Sequence, residues 1–190
     1  MIVDIGCGAG FVLSNLREYL PIDCNMLGLD ISQDAIAMAK RYKVKGLDFR
    51  VGDHTNIPKD CDLLLVVDVI EHLKPSDQFI KQIKAQSRTI IFHIPLERNI
   101  YSMVRFGNLR VNKENFGHLQ FFSKNSAINA LQIAGLQIID QFYTPWILEL
   151  GVAQREKKKL AFAIIKCLYR INLSLAVNVL GGSSLLVVAK

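Results

Sequence analysis

The chain alternates short apolar runs with segments whose apolar residues recur at helical spacing. The first apolar run, Ile2–Ile5, is followed by a helical pattern that places Phe11, Val12, Leu16 and Leu20 on one side. The same alternation continues almost to the end of the chain, which predicts strands and helices in turn. Alternating strands and helices are typical of a doubly wound, mostly parallel sheet with helices on both of its faces.

Turn-forming residues set the bounds of these predicted elements. Strands are predicted at 2–5, 25–29, 47–51, 61–67, 88–94, 136–143 and 184–189, and helices at 9–20, 33–42, 75–86 and 124–135. We expect Ile36, Ala37 and Ala39 of the second helix to face inward. The run 61–67 is continuously apolar after Asp62, as expected of a central parallel strand that is covered on both faces.

One apolar segment, Leu160 to Leu180, is long enough to cross a membrane. Polar side chains nevertheless recur along one side of it at helical spacing: Lys159, Lys166, Arg170, Ser174 and Asn178. A charge at mid-span would cost on the order of several kcal/mol in a bilayer. An amphipathic helix packed on the protein's own core is therefore the favoured interpretation, and peripheral contact with a membrane through 155–180 is the alternative.

Composition restricts the class of protein and its compartment. The 190 residues suit a single domain, and the net charge of +6 permits acidic partners without requiring them. The four cysteines form no C-x-x-C or Cys/His pattern, so we predict no metal site and reduced thiols in a cytoplasmic protein. A signal peptide is not expected, because Asp4 interrupts the first apolar run at once.

Three alternate glycines, Gly6, Gly8 and Gly10, follow the first strand. Glycine accepts positive φ and lacks a Cβ, so the backbone can approach a ligand closely, and the helix that follows offers free N–H groups. A dinucleotide-binding G-x-G-x-x-G turn would place its third glycine where Phe11 stands. The pattern thus disfavours a nucleotide-binding oxidoreductase, which stays as an alternative.

Acidic residues mark the ends of four predicted strands: Asp4, Asp30, Asp53 and Asp68. In doubly wound sheets, ligands bind outside the carboxyl ends of the strands, where the strand order switches. Buried carboxylates at such positions need a partner. We therefore expect these four side chains to gather around one ligand site.

Together these motifs resemble class I S-adenosylmethionine (SAM) dependent methyltransferases, especially the small bacterial group that includes ubiquinone-biosynthesis O-methyltransferases. The resemblance rests on D-I-G-C-G-A-G, L-G-L-D, V-G-D-H, C-D-L-L-L-V-V-D-V-I-E-H-L, F-G-H-L-Q-F-F-S and the last strand. It implies a seven-stranded Rossmann-like sheet of order 3-2-1-4-5-7-6 with an antiparallel last strand. The whole of 1–190 would form one domain, in which an amphipathic helical insertion occupies 146–180. The group normally carries a helical segment before the first strand, so we expect either a truncated chain or one that lacks this cover.

The same resemblance implies where SAM, and its product S-adenosylhomocysteine, would bind. Cofactor-binding roles fall on Asp4, Gly6, Cys7, Gly8, Gly10, Asp30, Ile31, Gly52, Asp53, His54 and Asp68. Asp30 would accept hydrogen bonds from the ribose hydroxyls and Asp53 from the adenine amino group. The glycine turn and Asp4 would adjoin the methionine end.

The predicted function is transfer of a methyl group to a small-molecule or lipid-linked acceptor, at oxygen in preference to nitrogen or carbon. His72 is the main candidate for a general base, and His118 is a second candidate from the other rim of the site. We expect no nucleic-acid partner, since the sequence carries no dense basic face. A SAM-binding module of the same fold without catalysis is the alternative.

Overall fold

The computed structural model describes residues 1–42, 44–100, 117–148 and 159–190. Within these ranges the strands are β1 (Ile2–Ile5), β2 (Met26–Asp30), β3 (Leu47–Val51), β4 (Leu63–Val67), β5 (Thr89–Pro95), β6 (Ile138–Thr144) and β7 (Ser184–Ala189). The α-helices are α1 (Phe11–Leu16), α2 (Gln33–Ala39), α3 (Ser76–Lys84), α4 (Lys124–Ile133), α5 (Lys159–Ile171) and α6 (Leu173–Leu180). Short 3₁₀ turns cover His54–Asn56, Ile70–His72 and Trp146–Leu148.

The strands form one seven-stranded sheet in the order β3-β2-β1-β4-β5-β7-β6, which confirms the predicted topology. All neighbours pair in parallel except β7, which runs antiparallel to both β5 and β6. The carboxyl ends of β1 to β6 therefore share one edge of the sheet, and β7 begins at that edge. The segment between β6 and β7 leaves and re-enters the sheet at this same edge.

Apolar side chains cover both faces of the central strands, as the unbroken apolar pattern of β4 predicts. One buried cluster contains Leu64, Phe92 and Leu185, and the other contains Leu13, Ile36 and Phe49. Burial of side chains of this size contributes about 1.5–3 kcal/mol each. The sheet therefore separates two apolar layers, and its carboxyl edge presents polar groups to a ligand.

The Phe49 ring packs directly against bare glycine backbone under the first turn. A Cβ added to Gly10 would lie 2.6 Å from Phe49 Cζ, and one added to Gly28 would lie 2.5 Å from Phe49 Cδ1. Gly10 also has φ +81° as the N-cap of α1. Glycine at these positions is thus required both by backbone conformation and by the space that the ring occupies.

All four predicted helices are shorter than their apolar patterns predict, most clearly α1 and α2. Helix α1 spans Phe11–Leu16 instead of 9–20, because the backbone tightens after Leu16 and the Arg17 guanidinium donates to the carbonyls of Leu20, Pro21 and Cys24. A buried arginine that satisfies these carbonyls makes a turn as favourable there as further helix. Helix α2 ends at Ala39, not at 42.

One residue of α2 and two strand bounds also differ from the prediction. Ile36 and Ala39 are buried, whereas Ala37 is exposed, so the prediction that it faces inward was wrong. A helix of seven residues has room for only two core positions on one side. Strand β4 begins at Leu63 rather than at 61, and β6 spans Ile138–Thr144 rather than 136–143.

Helices α5 and α6 lie between β6 and β7, inside the predicted insertion, of which 149–158 lie outside the described residues. Asn172 separates them, since its side chain accepts a hydrogen bond from Leu175 N–H and caps α6. Tyr169, Ala176 and Val177 are buried, so part of this pair packs on the core. Within the described parts of the chain, no helix has the length and apolar character that a bilayer crossing requires.

We predict that Gly10→Ala lowers the free energy of unfolding by about 2–4 kcal/mol, because a Cβ there combines an unfavourable φ with overpacking against Phe49. Gly8→Ala is the matched control: its φ is +54°, but no atom lies within 4 Å of the added Cβ. It should cost only about 1–2 kcal/mol, from backbone strain alone. Urea denaturation of the two variants measures both values, and equal losses would contradict the packing argument.

Candidate active site

A cavity of about 570 Å³ opens at the carboxyl edge of β1 to β4. Eight of the residues predicted from the sequence line it: Gly6, Asp30, Ile31, Gly52, Asp53, His54, Asp68 and His72. The remaining wall comes mainly from the loop after β4 and from α3, including Lys74, Gln78, Phe79 and Gln82. The strand-end residues that the sequence grouped by position are therefore grouped in space.

The glycine turn contributes backbone N–H groups and an opening beside them. Gly6 has φ +76°, and a Cβ there would meet Val69 Cγ2 at 2.6 Å, whereas a Cβ on Gly8 would project into open space. The N–H of Gly8 donates to Asp30 Oδ2 at 2.8 Å, and Ser32 N–H donates to Asp30 Oδ1 at 2.8 Å. These bonds hold the carboxylate in place, while each oxygen keeps further acceptor capacity for a diol.

Asp53 lines the same cavity and is held by its own turn. Its Oδ1 accepts from the N–H and the hydroxyl of Thr55, at 2.8 and 2.6 Å. These hydrogen bonds lower the pKa of Asp53, so the exposed carboxylate stays ionised. The neighbouring His54 ring meets Phe79 edge-on at 5.8 Å, which closes one side of the cavity with aromatic surface.

Asp4 lies beneath the turn and does not line the cavity. It is only 1% exposed, and neither carboxylate oxygen has a hydrogen-bond partner within the described residues. Burial, and secondarily the charge of Asp30, raises the pKa of Asp4 to about 7. Cys7 is also buried, and its burial raises the thiol pKa to about 12, so this thiol is not a nucleophile near neutral pH.

Asp68 adopts a backbone conformation that is unusual for a residue with a side chain. Its φ is +52°, in a region that costs on the order of 1–3 kcal/mol and persists only where the surroundings enforce it. Asp68 N–H donates to the His93 carbonyl at 3.0 Å, and His93 Nδ1 lies 2.7 Å from Asp68 Oδ1. The strain thus places a half-exposed carboxylate on the cavity wall.

Two histidines and two glutamates form a polar cluster beside the loop after β4. The rings of His72 and His118 lie 4.9 Å apart, and His118 Nδ1 is 2.8 Å from Glu97 Oε2. Glu71 is 1% exposed, and burial raises its pKa to about 8. Of the two predicted bases, His72 lines the cavity, whereas His118 lies behind it against Glu97.

This polar cluster also contains a donor set of the kind that binds metals. Ligand atoms of Glu71, His72 and His118 all lie within 4.8 Å of one another, and neither oxygen of Glu71 has a partner within the described residues. The sequence predicted no metal site because His118 is far from the other two in the chain. Glu71 and Glu97 were likewise absent from the predicted site, although Glu71 directly precedes His72.

Solved structures of methyltransferases share the fold of this chain. The chain matches a SAM-dependent methyltransferase from Mesorhizobium loti with a TM-score of 0.63 and 18% identity, over 99% of this chain and 89% of that one. It matches magnesium protoporphyrin IX methyltransferase from Synechocystis, solved with bound S-adenosylhomocysteine, with a TM-score of 0.63 and 14% identity. That match covers 100% of this chain and 73% of the other. At such low identity these matches establish the fold.

Curated relatives match a smaller part of the chain. Norajmaline N-methyltransferase of Rauvolfia serpentina is 34% identical over 89 residues, which cover 43% of this chain and 30% of that protein. The ubiquinone biosynthesis O-methyltransferase of Pelagibacter ubique is 26% identical over 110 residues, 54% of this chain and 45% of that protein. The chain thus spans less than half the length of these relatives.

We predict that Asp4→Asn changes how stability depends on pH. The pKa of Asp4 is higher in the folded protein than in the unfolded chain. As the pH rises, the unfolded wild type therefore loses this proton at a lower pH than the folded protein does, and the stability of the wild type falls between about pH 4 and pH 7. The stability of the variant relative to wild type should rise over this window by at most about 4 kcal/mol, since one pKa unit equals about 1.4 kcal/mol. Denaturant titrations across pH measure this difference, in which the contribution of Glu71 cancels. A difference that does not change with pH would show that the carboxylate is not desolvated.

The family assignment rests on a match over most of the chain. A family model described as a methyltransferase domain matches residues 1–141. The matched range contains the glycine turn, every strand-end carboxylate described above and both histidines of the polar cluster. The chain therefore belongs to this methyltransferase-domain family, and it shares the fold of solved class I SAM-dependent methyltransferases.

Proposed function

We propose that this chain transfers the methyl group of SAM to a hydroxyl oxygen of an acceptor and releases S-adenosylhomocysteine. In this displacement the acceptor oxygen bonds to the methyl carbon, and the carbon–sulfur bond breaks with its electron pair staying on sulfur. SAM supplies the activated methyl group, and the protein supplies proximity and orientation. A hydroxyl must also lose its proton, so an oxygen acceptor needs a base within reach.

The observation that carries this proposal is the position of His72 on the cavity wall. His72 is exposed and lines the same cavity as Gly6 of the glycine turn. His72 Nδ1 lies 3.4 Å from the Gly117 carbonyl, which favours a proton on Nδ1 and leaves Nε2 as the acceptor. An imidazole of this kind can take the hydroxyl proton near neutral pH as the oxygen–carbon bond forms.

Nitrogen is the second candidate acceptor atom, because the curated relatives include three alkaloid N-methyltransferases as well as the O-methyltransferase. A neutral tertiary amine carries no proton to remove, so its methylation would not depend on a base. A hydroxyl acceptor therefore requires His72 as a base, whereas a tertiary-amine acceptor does not.

We predict that His72→Asn lowers kcat for a hydroxyl acceptor by about 10²–10⁴-fold, the usual contribution of a general base. With a tertiary-amine acceptor the same variant should keep its rate within a small factor. A panel of phenols and tertiary amines, assayed with radiolabelled SAM, measures both rates. If amines alone are methylated, the oxygen proposal is wrong. SAM binding without transfer to any acceptor would favour a non-catalytic SAM-binding module.

We also propose that the acceptor is linked to a lipid and that 155–180 contacts an anionic membrane surface. Ile171 is 75% exposed and Leu175 is 58% exposed, on helices that carry no acidic residue and include Lys159 and Arg170. Exposed apolar residues beside basic ones suit the interface of an anionic bilayer. Since β6 ends and β7 begins at the edge of the sheet that carries the cavity, membrane contact through the segment between them would bring this edge close to the lipid. The absence of disulfides among the four cysteines supports a reducing, cytoplasmic compartment.

We predict that wild-type protein sediments with phosphatidylglycerol-containing vesicles, more weakly at high salt, and that Ile171→Glu with Leu175→Glu loses most of this binding. Charged residues remove both the apolar contact and the electrostatic attraction. Ile133→Glu with Ile139→Glu is the matched control, because these isoleucines are 63% and 54% exposed but lie on α4 and β6. The proposal fails if wild type stays in the supernatant, or if both double variants lose binding equally.

A further inference from the structure

A chain of hydrogen-bonding side chains runs from the cavity wall to the base of the insertion. Asp68 Oδ1 lies 2.7 Å from His93 Nδ1, and His93 Nε2 lies 3.0 Å from Thr144 Oγ1. The three residues stand at the carboxyl ends of β4, β5 and β6, which the parallel direction of these strands aligns. Both ring nitrogens of His93 are therefore engaged, and its ring is held in one orientation.

Asp68 differs from the other carboxylates of this edge in what it offers to a ligand. Asp4 is closed off under the turn, and Asp30 already accepts two backbone N–H groups. The Asp68 side chain is 50% exposed and lines the cavity beside Gly6 and Val69. One of its oxygens is bonded to His93, and the other has no hydrogen-bond partner within the described ranges. Asp68 is thus a carboxylate near the glycine turn with an oxygen available to a cationic group.

We propose that His93 is a positioning residue, which holds the carboxylate of Asp68 so that its second oxygen faces the ammonium group of the SAM methionine moiety. This inference rests on the proposed role of Asp68 in binding the cofactor. His93 acts twice on the same residue, because its carbonyl accepts from Asp68 N–H and its ring contacts the carboxylate. The two contacts together hold Asp68 at its positive φ, a conformation that aspartate tolerates better than most residues with a side chain.

The contact with Thr144 determines which ring nitrogen of a neutral His93 carries the proton. A threonine hydroxyl can donate to Nε2, which leaves the proton of a neutral His93 on Nδ1, where it is donated to Asp68. Thr144 is the last residue of β6, directly before the segment that leads to α5 and α6. The orientation of the Asp68 carboxylate is therefore tied to the strand from which the insertion begins.

Two conservative substitutions separate the contacts of the ring. Asparagine places its amide near the position of histidine Nδ1, whereas glutamine places its amide near the position of Nε2. His93→Asn can therefore keep the bond to Asp68, and His93→Gln can keep only the bond to Thr144. His93→Leu removes both hydrogen bonds and places an apolar side chain at this position of β5.

The test is calorimetric titration of folded variants with two ligands, S-adenosylhomocysteine and 5′-methylthioadenosine, which lacks the amino-acid moiety. We expect His93→Leu and His93→Gln to weaken binding of S-adenosylhomocysteine about tenfold, the scale of a lost hydrogen bond to a charged group, and to change methylthioadenosine binding less than about twofold. His93→Asn should restore affinity for S-adenosylhomocysteine to within about threefold of wild type. Equal losses for both ligands would mean general distortion of the site and would overturn the proposal.

Asp68→Ala distinguishes failure of this inference from failure of the assignment on which it rests. If Asp68 binds the ammonium group, Asp68→Ala weakens the binding of S-adenosylhomocysteine but not that of methylthioadenosine. Adding His93→Leu to this variant should then cause no further loss of affinity. If Asp68→Ala weakens the binding of S-adenosylhomocysteine selectively but His93→Leu does not change it, only the positioning role of His93 is overturned. An unchanged affinity in Asp68→Ala would refute the cofactor role of Asp68, and the inference with it.

Discussion

The parallel alignment of β3, β2, β1 and β4 is the constraint on which the candidate site depends. Parallel strands in register bring their carboxyl ends to one edge, so residues that are far apart in the chain meet there. The alignment is maintained by close packing, in which Phe49 lies on the bare backbone of Gly10 and Gly28. Any side chain at those glycines would push β3 or the first turn away from the sheet, and the cavity would lose one of its walls.

The same edge gathers carboxyl groups, two of which are almost fully buried, and this costs stability. Asp4 and Glu71 are almost fully buried without partners among the described residues, and burial raises the pKa of both well above the ordinary carboxyl range. Asp68 adds backbone strain to this cost. Such features persist where a bound group compensates for them. A cofactor with an ammonium group and a sulfonium is chemically suited to that compensation at the glycine end of the cavity.

Most of the site could be predicted because its residues lie at strand ends, which the apolar pattern locates well. Asp30, Asp53 and Asp68 each follow an apolar run, and the turn between β1 and α1 is visible from its glycines alone. His118 and Cys7 were grouped with the site on their motifs, yet the first lies behind the cavity and the second within the apolar core. A motif gives sequence neighbours, whereas the direction in which a side chain points depends on the packing around it.

Hydrophobic periodicity and local turn chemistry determined from the sequence where the strands, the helices and the glycine turn lie, and the resemblance of its motifs to class I methyltransferases implied the strand order, the family and the edge of the candidate site. Only the tertiary structure decided which polar groups meet. His93 lies within the apolar strand β5, yet its ring joins Asp68 to Thr144, and Glu97 pairs with His118, which lies 21 residues further along the chain. The physical reason is that hydrogen bonds and ion pairs depend on distances of a few ångströms. Those distances arise from strand register and loop packing, which leave no periodic signal in the sequence.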